Sequence, residues 1–413
     1  MKKIGIIGAG ISGLSVAHCL KDRYDVQLFE KAARPGGLIK CDRVNGSLYH
    51  LVGGHVFNSR HQDVLDWFWK FFSKEDEFAK AQRNAVIRMD NNLCIDYPIE
   101  NQIYKLEHET IKTIINELLL LSQRDNLEAD NFEDFLRNRF GNTLYEIYFR
   151  PYNEKIWKQN LKNVPLAWLE GKLPMPAIDE IMFNNFVHTK EEKMVHASFY
   201  YPKQDGSQFI ADRFAENLPI TYNINIEHIS RKGNKWIIDT QEFDTVIFCG
   251  NIKDFPAIFG KYLSVESLSK PIDELEYHGT TSVLCEIEEN PYSWIYLPSR
   301  RYASHRIICT GNFAVSNNGK NKRTGTVEFT DYLSENEIVG NLIKMPFSPQ
   351  YIAHHYEKYT YPVQNKQTKR VITELKTLIE KENVFLLGRF AEWEYYNMDT
   401  VMKTAMNLSE KLR

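Results

Sequence analysis

Gly8, Gly10 and Gly13, in the run Gly8-Ala9-Gly10-Ile11-Ser12-Gly13, stand between an apolar run from Ile4 to Ile7 and a helix-like stretch from Leu14 to Lys21. Strand, glycine turn and helix in that order suit the diphosphate of a dinucleotide. Gly8 permits the tight turn, Gly10 lets the backbone approach the phosphates, and Gly13 lets the helix pack closely on the strand. The amides at the helix start, around Ile11 and Ser12, then face the anion. Glu30 ends the next strand, Val26-Gln27-Leu28-Phe29, at the spacing where a carboxylate accepts hydrogen bonds from an adenosine ribose. Lys31 follows it, and Arg34-Pro35-Gly36-Gly37-Leu38 supplies a second glycine pair within one short loop.

The elements that must position these residues follow from periodicity. Residues 1 to about 45 read as βαβ. Apolar residues recur at helical spacing from His61 to Lys74 and from His108 to Asn160, and a further helix is expected from Phe209 to Asn217. Beyond Tyr200 short alternating runs predict strands at Asn223–Ser230, Trp236–Thr240, Thr245–Cys249, Thr281–Ile287, Trp294–Leu297 and Arg306–Thr310. Asn383–Arg389 reads as another parallel strand, with a helix from about Thr400, and Asn317–Arg323 reads as a mobile loop.

The expected fold class is therefore α/β: a discontinuous, Rossmann-like dinucleotide-binding domain (1–90, 200–265 and 380–413), a helical insertion (91–165), and a mostly antiparallel β-sheet domain for substrate (166–199 and 266–379). At 413 residues the chain is long enough for several domains. A net charge of −3 offers no general attraction to nucleic acid, so an anionic ligand needs a local basic pocket. The six cysteines show no CxxC spacing, which argues against a metal site and for buried thiols in a reducing compartment. Lys2-Lys3 and the short apolar run after them lack the length and cleavage site of a secretory signal. Leu118 to Leu121, the greasiest run elsewhere, is closed by charges too soon for a membrane span. A cytoplasmic protein is expected.

The second glycine pair shifts the expected cofactor from nicotinamide to flavin, because the N-terminal segment resembles large FAD-binding proteins in which such a pair passes close to the diphosphate and ribityl portion. Three more segments complete a wider resemblance: Gly53-Gly54-His55-Val56-Phe57; Phe149-Arg150-Pro151-Tyr152-Asn153-Glu154-Lys155-Ile156-Trp157; and Gly388-Arg389-Phe390-Ala391-Glu392-Trp393-Glu394-Tyr395-Tyr396-Asn397-Met398-Asp399. In this order they resemble the UDP-galactopyranose mutases, especially those of eukaryotes, within the FAD-dependent amine-oxidase-like flavoproteins. The likeness runs almost the whole length of the chain.

That resemblance implies a redox-neutral flavoenzyme. Reduced FAD attacks the anomeric carbon of a UDP-sugar through N5, UDP departs, and the covalent flavin–sugar adduct opens, recloses through another hydroxyl and recovers UDP as the furanose. It implies that Gly54 and His55 lie at the flavin's reactive edge, with the Gly54 carbonyl meeting the N5 hydrogen, and that Gly53 and Arg389 sit near the cofactor. Asn397, Met398 and Asp399 would present a helix start to the ring, although Asp399 reads equally as a plain N-cap. Arg306 matches the family's diphosphate-binding arginine. Tyr296, Tyr361 and Tyr395 match tyrosines that contact diphosphate or sugar, while Tyr97, Tyr152 and Trp157 would surround the uridine; core packing is the alternative for each aromatic.

Four positions depart from the family pattern. Lys172 replaces an arginine of a mobile loop, His196 an asparagine, Phe313 a tyrosine and Glu100 a glutamine near the base. The expected partners are a UDP-sugar and, as reductant, NAD(P)H docking transiently in the substrate cleft. A homo-oligomer is compatible with the sequence. Two competing readings share the FAD fingerprint: an oxidase or desaturase of the amine-oxidase type, and a homologue that only binds a glycan precursor or a protein.

Overall fold

The computed structural model describes residues 1–124, 129–166, 176–189, 197–319 and 323–413, so Lys172 and His196 lie outside the described residues. A parallel sheet collects its five strands from the start, middle and end of the chain, in the order Val384–Leu386, Thr245–Phe248, Lys3–Ile7, Asp25–Phe29 and Ile220–Thr221. Its inner strands carry apolar cores, at residues 4–7, 28–29 and 246–248, because both faces are covered. Ile4, Ile6, Leu28 and Ile247 pack against Leu14 and Ala17 of helix Ile11–Leu20 and against Met402 and Ala405 of helix Met398–Lys411. Phe29, Val246 and Phe248 pack the other way, onto Trp236 and Phe243 of a small antiparallel sheet and onto Phe259. This is the discontinuous, Rossmann-like α/β arrangement that the sequence implied.

Close packing of the first helix on the first strand depends on Gly13. A Cβ there would lie 1.9 Å from the Gly8 carbonyl oxygen, which is backbone and cannot step aside. Gly8 itself has φ +105°, a conformation L side chains rarely adopt.

A second, seven-stranded sheet runs Gln350–Pro362, Tyr277–Glu286, Thr324–Thr330, Arg306–Ile308, Trp294–Tyr296, Ala85–Arg88 and Cys94–Asp96. Every adjacent pair is antiparallel except Trp294–Tyr296 with Ala85–Arg88. Its register aligns His355, Ser282, Glu328, Arg306, Tyr296 and Ile87 in one row across six strands. Residues paired in this way share a face, so a single row of side chains carries a chain of polar groups.

Helices His108–Ser122, Phe132–Leu144 and Arg150–Trp157 share a core with this sheet, with Leu118, Phe132, Leu136 and Phe140 in one cluster with Trp294, Tyr296 and Ile308. Lys155 ties the helical layer to the hairpin that carries Tyr296 and Arg306, its ammonium donating to the Leu297 and Ser304 carbonyls at 2.7 Å each. Among the described residues no helix is long and apolar enough to cross a membrane. All six cysteines are free.

Three local expectations are corrected. Residues Asn223 to Ile229 form no strand; Ile224 and Ile226 alternate because they pack beside the parallel sheet, while the Ile224 amide donates to the Glu30 carbonyl at 3.0 Å. The helix expected at His61–Lys74 ends at Phe68, and only the short turn Lys74–Glu77 follows. The described part of the loop expected to be mobile is pinned: Asn317 donates to the Tyr201 hydroxyl at 2.9 Å and the Thr310 carbonyl at 2.8 Å, and Asn318 to the Gly311 carbonyl at 2.8 Å.

Gly13→Val should push the helix off the strand at a cost of about 1–3 kcal/mol or more. A thermal melt and the flavin content of purified protein check this; an unchanged melting temperature with unchanged flavin content would contradict it.

Candidate functional site

One cavity of about 1380 Å³ runs from the carboxyl ends of the parallel strands to the face of the seven-stranded sheet. Open α/β sheets bind ligands at this end of their strands. Gly8, Gly10, Ile11, Ser12, Glu30, Lys31, Gly36, Gly37 and Leu38 all line its inner part. The Gly36 amide donates to the Ala9 carbonyl at 3.0 Å, and a Cβ on Gly37 would come within 3.2 Å of the Gly10 Cα. Two glycine turns thus lean on each other and leave a groove without side chains. Gly10 caps the helix with no side chain over its N-terminus, so the first amides open into that groove. The Glu30 carboxylate is fixed at the wall by the amides of Ala9 at 2.7 Å and Ala32 at 2.9 Å. This bare cradle beside a buried acid fits the diphosphate and ribose of a dinucleotide such as FAD.

The glycine–histidine loop closes over the middle of the cavity. Gly53 has φ +64°, and its amide donates to the Ser282 hydroxyl at 3.3 Å. A Cβ at Gly54 would lie 2.7 Å from Ile308 Cγ2, so only glycine lets this backbone lie against the sheet. His55 Nε2 donates to the Leu38 carbonyl at 3.1 Å, joining the two glycine loops. Burial, with Arg389 nearby, lowers the His55 pKa to about 4, which keeps the imidazole neutral at neutral pH. Arg389 donates to the Tyr396 and Thr360 carbonyls at 3.1 Å each and stacks 4.5 Å from the centre of the Tyr395 ring. Asn397 precedes helix Met398–Lys411 and is its capping position. Asp399 is therefore not the cap: its carboxylate accepts from the Ser59 hydroxyl at 3.0 Å inside the cavity wall.

At the far end stands the polar row of the sheet. Arg306 Nε donates to the carboxylate of Glu328, and its terminal nitrogen donates to the Tyr361 hydroxyl at 3.2 Å. Glu328 is 1% exposed. Burial works against its charge, yet Arg306 and His305 hold its carboxyl down at about 2. Tyr361 and Tyr395 stack nearly parallel, 5.6 Å apart. On the same sheet face Tyr97 and Tyr296 lie 4.8 Å apart, with the Arg83 guanidinium 5.0 Å from the Tyr97 ring and donating to the Tyr296 hydroxyl.

The structure thus brings Gly53, Gly54, His55, Tyr97, Tyr296, Arg306, Tyr361, Arg389, Tyr395, Asn397, Met398 and Asp399 to one cavity. Gly13 lies under the first helix and does not line the cavity, and Tyr152, Trp157, Phe313 and Glu100 also lie outside its lining. Tyr152 stands behind Tyr296 with its ring edge-on at 5.6 Å. Trp157, 4% exposed, lines a separate recess of about 710 Å³ beside His278. Phe313 is buried against Phe199, Tyr201 and Trp294, because a phenyl ring without a hydroxyl needs no polar partner. Glu100 is buried as well, at 4% exposure. Sequence reasoning missed Glu328, Ser282, His355 and Arg83. A lone acid inside Thr324-Gly325-Thr326-Val327-Glu328-Phe329-Thr330 was the available signal for the first, since an inward carboxylate requires a cation beside it. Among the described residues no group of three or more metal-ligating side chains is present.

Residues 6–73 match the family model described as an NAD(P)-binding Rossmann-like domain. The chain is 21% identical to the UDP-galactopyranose mutase of Mycoplasma genitalium over 98% of its own length and 94% of that protein. It is also 21% identical to a dTDP-fucopyranose mutase of Escherichia coli, over 99% of its length and 98% of that protein. A crystal structure of reduced UDP-galactopyranose mutase superimposes with a TM-score of 0.88 at 21% identity, covering 100% of this chain and 95% of that one. The resemblance to UDP-galactopyranose mutases therefore holds over the whole chain, in sequence and in fold.

Two outcomes follow from the site's electrostatics. Glu328→Ala should destabilise the chain by about 3–5 kcal/mol by leaving the guanidinium uncompensated, and the Arg306→Met, Glu328→Met double variant should recover much of that loss in chemical denaturation. A double variant no more stable than the Ala variant would contradict it. His55 should stay neutral in imidazole NMR until the pH nears about 4. Because the unfolded imidazole takes its proton near pH 6.5, His55 lowers stability as pH falls from about 6.5 to about 4; a folded-state midpoint near 6.5 would contradict this.

Proposed function

We propose that this chain is an FAD-dependent mutase that interconverts the pyranose and furanose forms of a nucleoside diphosphate sugar, UDP-galactose or a close analogue. The observation that carries this reading is that two anion-binding ends share one cavity. The glycine cradle lies at one end, and Arg306 with Tyr361 and Tyr395 at the other, with Gly54 and His55 between them. A flavin oxidase of small substrates needs only the first of these ends. The full-length likeness to two sugar-nucleotide mutases points the same way.

When bound, reduced FAD would supply the nucleophile, its N5. The chain's own residues have three tasks around it. Gly8, Gly10, Gly36, Gly37 and Glu30 would hold the cofactor's diphosphate and ribose, with Gly13 packing the helix that aims its amides there, and the start of helix Met398–Lys411 would face its ring. The Gly54 backbone and the neutral His55 exclude water at the reactive edge without adding charge there. Arg306 takes the charge that develops on the departing diphosphate, and the hydroxyls of Tyr296, Tyr361 and Tyr395 fix its oxygens. Tyr97 offers a ring for the base, a contact worth roughly 1–3 kcal/mol. Lys172 would add a further cation as a point charge, and NAD(P)H would enter the same cleft to reduce the flavin before sugar binds.

Anaerobic, photoreduced enzyme should convert UDP-galactofuranose to the pyranose, as read by chromatography. Arg306→Ala should retain FAD and lose about 10²–10³-fold in kcat, the scale of one lost transition-state charge contact. Failure to convert either UDP-galactofuranose or dTDP-fucopyranose, together with substrate-dependent bleaching of oxidised flavin, would overturn the proposal in favour of an oxidase.

A further inference from the structure

Arg306 does not face the cavity as a bare cation. One edge of its guanidinium, at Nε, is taken by Glu328, and the other reaches the Tyr361 hydroxyl at 3.2 Å. Glu328 is its register partner on the adjacent strand Thr324–Thr330 and is 1% exposed. The carboxylate also abuts the glycine–histidine loop: a Cβ on Gly53 would lie 3.3 Å from Glu328 Oε1. His305 Nε2 stands 3.6 Å from the other carboxylate oxygen. A full negative charge is therefore fixed beside the group assigned to an incoming dianion, at the wall of the same cavity.

The consequence is electrostatic. Toward the cavity, Arg306 and Glu328 together present a dipole in place of an isolated positive charge, so a diphosphate beside Arg306 feels attraction from the near group and repulsion from the far one. Inside a buried site neither is screened as it would be in water. A cation meant only to trap a diphosphate gains nothing from such a neighbour. A cation that must release a diphosphate and take it back within one turnover does gain, because binding ground state and transition state equally tightly does not speed the chemical step.

We infer that Glu328 is a positioning residue that aims Arg306 and limits how tightly the cleft holds a free nucleoside diphosphate, so that the leaving group can return to the sugar. This rests on the mutase reading above and names the device that makes its leaving-group step reversible. A purely structural Glu328 predicts the opposite sign: without it Arg306 loses its aim, and the diphosphate binds more weakly.

The test is calorimetric titration of UDP, and separately of inorganic pyrophosphate, into the oxidised FAD-loaded protein. Glu328→Gln preserves shape and keeps an acceptor for Arg306 while removing the charge. It should bind both probes about ten-fold more tightly, with a steeper dependence on salt, and should lower kcat more than KM. Glu328→Asp withdraws the charge by one methylene and should shift affinity in the same direction by less, which preserves the test if the Gln variant fails to hold FAD. Weaker or unchanged binding of the probes by the variants would overturn the inference while leaving the mutase reading intact. Wild-type protein that retains FAD yet binds neither UDP nor pyrophosphate would overturn both.

Discussion

A guanidinium and a carboxylate buried side by side each cost several kcal/mol to dehydrate, and their mutual attraction offsets that only when the geometry is good. Arg306 and Glu328 meet that condition because they are register partners on adjacent antiparallel strands. The sheet sets the distance, and the row continues outward through Ser282 on one side and Tyr296 on the other. Ser282 accepts a hydrogen bond from the Gly53 amide, so the same row seats the loop that carries His55. One line of side chains therefore fixes both the arginine proposed to bind the diphosphate and the backbone expected to meet the cofactor.

The rest of the architecture brings that row to the mouth of a dinucleotide cradle. The parallel sheet ends in turns where Gly8 and Gly36 take positive φ values, and the antiparallel sheet lies across the opening with its polar row inward. Neither sheet alone encloses a site. Lys155 pins the helical layer to the hairpin bearing Tyr296 and Arg306 through two carbonyls, and that hairpin holds its shape against the cavity. Aromatic stacking between Tyr361 and Tyr395, and Arg389 against Tyr395, joins the end of the long edge strand to the loop before the last helix.

The dinucleotide half was legible in the sequence because its chemistry is local. Glycine spacing, an apolar strand and an acid at its end are read within about forty residues. The far half was legible only in part. Arg306 was visible as a candidate, but Glu328 lies 22 positions away in sequence and is joined to it by register, which no local pattern reports. Trp157 matched a family position and Phe313 replaced a family tyrosine, yet tertiary packing draws both into the core. The run Asn223 to Ile229 shows the same limit from the other side: its alternation reflects one-sided packing with no neighbouring strand to pair with.

The proposed mutase places a flavin and a nucleoside diphosphate sugar in one cleft, with the sugar between Arg306 and the glycine–histidine loop. A crystal structure of the FAD-loaded protein soaked with UDP tests this most directly. The expected result is diphosphate oxygens bonded to the Arg306 guanidinium and the hydroxyls of Tyr361 and Tyr395, with the terminal phosphate pointing toward Gly54. UDP found outside this cleft, or inside it with Arg306 still turned wholly to Glu328, would contradict this placement.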